Sequence, residues 1–110
     1  MRRAVSNLYI ADIQDLYNRK AVVLTQHFLD NIGIRGISLS DVGLAITSGE
    51  IIEEYPRDYP HPSALILGYS ENRPIHVVLG IGGGFLWLIT AYRPDFEKWE
   101  ADNKTRKAEK

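Results

Sequence analysis

The chain reads as an α+β domain: two to three N-terminal helices, then a four-stranded antiparallel β-sheet, then a short C-terminal helix. Three observations predict this. Four β-rich runs lie between Gly49 and Trp99, separated by turn residues and by no helical run. Antiparallel strands need only such short connections, whereas parallel strands need long crossovers. Helical spacings are almost confined to the residues before Gly49, and helices followed by strands define the α+β class.

The first helix is expected from about Ser6 to Arg19, with Leu8, Tyr9, Ile13, Leu16 and Tyr17 at helical spacing and Ser6 or Asn7 as cap. Val22 to Leu24 is short and β-branched, and reads as a link or an irregular start to the next helix. Thr25 can cap a second helix with Phe28 and Ile32 inward. Ser38 and Asp41 stand at capping-box spacing before a third helix, with Val42, Ala45 and Ile46 inward and Gly49 as its stop.

The strands follow in order. The first is Glu50 to Tyr55. The next loop holds Pro56, Pro60 and Pro62, so it cannot be a central strand. The second strand is Ala64 to Tyr69, and a turn over Glu71 to Arg73 leads to the third, Ile75 to Ile81. Gly82 to Gly84 supply a tight turn into the fourth strand, Phe85 to Tyr92. A three-residue turn would set His76 opposite Thr90, and a Gly82-Gly83 turn would set it opposite Ile89; the sequence leaves both open. Pro94 ends the sheet, and Asp95 to about Asn103 is expected as a short helix with Trp99 packing back.

Size and composition narrow the function. At 110 residues, 45% of them hydrophobic and 25% charged, the chain suits one core. A single domain over residues 1–103 with a flexible charged tail over 104–110 is expected. No apolar run approaches the roughly 20 residues that cross a bilayer, and no signal-like stretch follows Met1-Arg2-Arg3. A soluble cytoplasmic protein with no membrane partner is expected. The absence of cysteine removes disulfides, thiol catalysis and cysteine zinc sites. The three histidines are not at metal-ligand spacing for one helix, so the reading needs no metal and no cofactor. Net charge is −1, with the 13 Lys and Arg scattered, which argues mildly against a strong RNA binder.

The segments GEIIEEYP, PSALILGY, PIHVV and ITAYRPDFEKW, preceded by His27 and by RGIS, resemble the bacterial domain-of-unknown-function family 4258 over roughly His27 to Trp99. The resemblance implies the α+β fold of the RelE and barnase-like endoribonuclease superfamily. It also implies a toxin-antitoxin setting, with an antitoxin partner carrying a zinc-finger or DNA-binding domain. Asn31 stands where the family pattern has Arg, and Ile34 where it has Glu.

Metal-independent RNA cleavage needs a base for the 2′-hydroxyl, cations for the phosphate and an acid for the leaving oxygen. His27, Arg35, His76, Tyr92 and Lys98 are the candidates for that chemistry. Arg57, Tyr59 and His61 on the proline-rich loop, with Arg93, are the candidates for nucleic-acid contact. Each also has a bland reading: a packed histidine, a helix-end arginine, a solvated cation. Two functions stand side by side, a RelE-like endoribonuclease acting on RNA or at the ribosome, and a non-catalytic module that binds a protein partner or pairs as a homodimer.

Overall fold

The computed structural model describes residues 8–108. Its elements are α1 (Ile10–Asn18), β1 (Val22–Val23), α2 (Gln26–Ile34), α3 (Leu39–Thr47), β2 (Glu50–Tyr55), β3 (Ser63–Ser70), β4 (Arg73–Gly82) and β5 (Phe85–Tyr92). Ser6 and Asn7, the expected caps of the first helix, lie outside the described residues; Tyr9 is the N-cap. The other two caps form as read. Thr25 Oγ1 accepts from Phe28 N, and Ser38 and Asp41 close a reciprocal capping box.

The fold is mixed α+β, with three corrections. The sheet has five strands, in the order β1-β5-β4-β3-β2, and is not wholly antiparallel. The extra strand is Val22–Val23, which pairs parallel to β5 and is joined to it by Leu86 N donating to Ala21 O at 2.8 Å. Two residues are too few to show a period. The second correction is the hairpin: the turn is Gly83-Gly84, both at positive φ, with Gly82 opposite Phe85 and Ile81 opposite Leu86. A register shift between Val78 and Leu79 leaves Ile89 as an extra residue on β5, so His76 faces Tyr92 rather than Thr90 or Ile89.

The third correction is the expected C-terminal helix, which is absent. Residues 96–106 form turns closed by a Trp99–Arg106 bridge. Asp102 accepts from Lys104 N and Thr105 N, both at 3.0 Å, and Asn103 has φ +63°. Such local side-chain bonds compete with helix formation.

The helices cover one face of the sheet. Their core joins Ile13, Phe28, Ile32, Val42, Ala45 and Ile46 to Ala64, Ile66, Ile75, Val77, Leu79, Leu86 and Ala91. Approach is close where α3 crosses β3: a Cβ built on Gly68 would sit 1.8 Å from Ala45 O.

The opposite face carries Leu65, Leu67, His76, Gly80 and Trp87, because cross-strand partners share a face. Leu65 and Leu67 are buried. The C-terminal segment lies against β2 and β4. Lys104 Nζ reaches Glu50 at 3.2 Å, and Arg106 holds Glu53 with contacts of 2.7 and 3.0 Å. Residues 104 and 106, placed in a charged tail from the sequence, are thus paired with β2. Among the described residues, no helix is long and apolar enough to cross a membrane.

Candidate functional site

Of the five residues expected to carry catalysis, the structure joins two. His76 and Tyr92 are opposed on β4 and β5, with ring centroids 5.4 Å apart. His76 has no exposed surface. Its Nε2 meets Asn103 O at 2.6 Å, and Trp99 stands edge-on at 4.5 Å. A carbonyl only accepts, so Nε2 carries the proton and Nδ1 is a buried lone pair without a partner. Burial pushes the His76 imidazole below its ordinary pKa and the Tyr92 phenol above its own.

Beside this pair, the Arg106 hydrogen bonds hold Glu53 below the usual carboxylate range. Tyr55 donates to Glu53. Burial, and then that bond, pushes the Tyr55 phenol up to about 12. Arg106 also lies 4.6 Å over the Trp99 ring. The cluster is closed, with His76 Nδ1 left unpartnered inside it, and it gives His76 no path to a substrate.

Of the other three expected residues, His27 and Lys98 stand apart, and Arg35 reaches the backbone beside Tyr92 without joining the ring pair. Arg35 is the C-cap of α2. Its Nη1 donates to Thr90 Oγ1 at 3.0 Å and Ala91 O at 2.9 Å, pinning the helix end to β5. Lys98 is exposed in the turn after Asp95. His27 is exposed in the first turn of α2 and pairs with Asn31 Nδ2 at 3.0 Å. Asn31, one turn along the helix, thus holds the histidine ring.

His27 does share a groove with two of the residues read as nucleic-acid contacts. Thr25, His27, Tyr59, His61, Trp87 and Ile89 line one groove of about 300 Å³, with Asp58 and Gly80. His61 stacks on Trp87, centroids 5.0 Å apart and planes at 28°. The ring can lie there because β4 carries glycine: a Cβ on Gly82 would sit 1.9 Å from His61 Nδ1. The Trp87 indole is fixed by Nε1 donating to Gly82 O at 2.9 Å. Asp58 accepts from Ser63 Oγ, which anchors the loop. Tyr59 is 95% exposed. Arg57 sits exposed on the same loop. Arg93 lies elsewhere and donates to Pro74 O at 3.3 Å.

Trp87 and Asp58 were not singled out from the sequence. Only the observed register puts Trp87 beside Gly80. A slightly larger hollow, about 330 Å³, is lined by Tyr17, Lys20, Val22, Leu24, Leu39 and Val42 among others. It holds no imidazole or carboxylate, whereas the smaller groove holds both. No group of three His, Asp or Glu among the described residues could hold a metal ion.

Fold and groove together define a small α+β domain with one helix-covered face and a histidine-aromatic groove between the start of α2 and the 58–61 loop. The chain belongs to the domain-of-unknown-function family DUF4258, whose sequence pattern matches residues 24–93. The match runs from just before α2 to just after β5. It contains every residue of the groove, and it excludes Trp99, Asn103 and Arg106, which seal His76. No curated protein and no solved structure matches the chain.

Proposed function

We propose that this domain binds single-stranded RNA in the groove between α2 and the 58–61 loop, within a RelE-like toxin lineage. The observation that carries the reading is the His61–Trp87 stack beside the exposed ring of Tyr59. Every base has a π-face, so aromatic planes take unpaired bases of any sequence, at roughly 1–3 kcal/mol per stacked base. Arg57 on the same loop can meet a phosphate. With a net charge of −1, binding relies on stacking more than on counterion release, and its salt dependence is shallow.

In such a lineage the protein partner is an antitoxin with a zinc-finger or DNA-binding domain. Self-pairing through β2, the competing interaction role, is disfavoured. That outer strand has an irregularity at Ile52, and its Glu50 and Glu53 are already held by Lys104 and Arg106 of the C-terminal segment that lies against it, while bulges blunt edges.

Fluorescence anisotropy with a labelled single-stranded oligoribonucleotide tests the reading. Saturable binding is expected, weakened about 5- to 150-fold by Tyr59→Ala, which corresponds to one lost stack. Lys98→Ala should leave it unchanged. Absence of saturable binding, or a Tyr59→Ala protein with undiminished affinity, overturns the reading.

A further inference from the structure

The geometry points to the hollow between the end of α1, β1 and the start of α3 as a binding site for a small organic carboxylate with an apolar tail. Its volume of about 330 Å³ falls within the roughly 300–1,000 Å³ of small-molecule sites. The lining divides in two. Val22, Leu24, Leu39, Val42 and Leu88 make an apolar wall, in which Leu24 and Leu39 keep much of their surface exposed. Tyr17, Asn18 and Lys20 make a polar rim on and just after the last turn of α1. Among the described residues, none of these three side chains uses its donors on a hydrogen bond or an ion pair within the chain.

Two positions forgo local stability at this hollow. Arg19 caps α1, and Lys20 follows it at φ +63°. The residue after a helix cap takes this left-handed backbone most cheaply as glycine, because a Cβ is strained there. The chain places a lysine instead. The second position is Gly43, buried in the middle of α3. Glycine weakens a helix interior, yet a Cβ at Gly43 would overlap the Tyr17 hydroxyl and sit 2.9 Å from Cζ. The glycine therefore seats the phenol against α3. One exception carries the cation and the other seats the hydroxyl, and both belong to the rim of one hollow.

These groups select the ligand. A phenol O–H, a carboxamide N–H and an ammonium all donate, so the head group accepts and carries negative charge. Lys20 is the one charged residue in the lining, and the neighbouring Arg19 is engaged with Asp15 at 2.9 Å. A single compact ammonium suits a single carboxylate, whereas phosphate recognition favours an arginine fork. The C-terminal end of α1 is the negative pole of the helix and repels an anion, so affinity depends on the lysine. The apolar wall takes the tail. The rim precedes residue 24, where the family match begins, and the hollow shares only Leu88 with the histidine-aromatic groove. The site is therefore this chain's own and stands apart from the RNA-binding reading.

The test titrates octanoate into the full chain with labelled Leu and Val methyl groups, beside octanamide, its neutral counterpart. The expected result is saturable shifts, largest at the Leu24, Leu39 and Val42 methyl signals, with octanamide bound about tenfold or more weakly. Lys20→Gly should weaken octanoate about 10- to 150-fold, the loss of one charged hydrogen bond, and leave octanamide binding unchanged. It should melt no lower than the parent, because glycine suits that backbone. Tyr17→Phe should weaken both ligands about 2- to 10-fold. Absence of saturable shifts, equal affinity for the two ligands, or a Lys20→Gly protein that holds octanoate as tightly as the parent overturns the site. Shifts largest at Trp87 assign the ligand to the groove and overturn it as well. A Lys20→Gly protein that melts well below the parent and loses both ligands marks the lysine as structural, which also overturns the proposal.

Discussion

His76 enters the fold as a neutral imidazole. Its pKa in the folded state lies below the ordinary value of 6.5 because burial disfavours the charged ring. Below pH 6.5 the unfolded chain therefore binds the proton more readily than the folded one. The contribution of His76 is fully present above about pH 6.5, and it is withdrawn as pH falls toward the folded-state pKa. Denaturant midpoints measured from pH 7.5 to 5.5 should fall with pH for the parent protein. The slope should flatten in His76→Leu, which is less stable throughout by roughly 1–3 kcal/mol because Asn103 O loses its donor. An unchanged slope would mean that the imidazole titrates freely in the fold.

Arg106 is the second residue with a clear consequence. It holds Glu53 and covers Trp99, but it is 59% exposed, so solvent screens much of the attraction. Arg106→Ala should cost on the order of 1 kcal/mol in urea denaturation, and exchange protection of residues 99–106 should drop with it.

At the scale of elements, α3 and β3 are in contact through backbone. Gly68→Ala would drive a methyl group into the Ala45 carbonyl, and neither helix nor strand can move aside cheaply. Overpacking of this kind costs about 1–3 kcal/mol and occasionally more. Circular dichroism thermal melts of Gly68→Ala should show the loss, and an unshifted transition would contradict the close approach. Ser38→Ala, which opens the capping box of α3, should cost about 1 kcal/mol by the same measurement.

The elements differ in how plainly the chain announces them. The caps at Thr25 and Ser38 and the strands β2 to β5 are legible because local periodicity and turn chemistry determine them. β1 is not, since two residues have no period and its pairing with β5 is long-range. The segment after Pro94 has a helix-compatible composition, yet Asp102 and Asn103 turn it back through bonds to their own neighbours. The bulge at Ile89 moves every residue after it by one position, and no local signal marks it. The site inherits that gap. His27, Tyr59 and His61 were visible as candidates, but their meeting depends on a loop folding over Gly80 and Gly82. Trp87 was hidden by the unresolved register. His76 looked reactive because its burial under Trp99 comes from chain outside the strand.

The whole molecule offers two histidine-aromatic clusters on one sheet face. One is closed by the C-terminal segment, and the other is open between α2 and the 58–61 loop. The chain has two tryptophans, and the fold assigns one to each: Trp99 over His76, Trp87 under His61. Their indole N–H resonances report the two places separately. Titrating the labelled protein with an uncleavable 2′-O-methyl single-stranded oligoribonucleotide, while recording the two indole signals, is the most direct test of where it binds. Progressive, saturable shifts of the Trp87 signal with Trp99 unmoved are the predicted result. Movement of Trp99 alone, or of neither, would contradict the assignment of the open groove as the site.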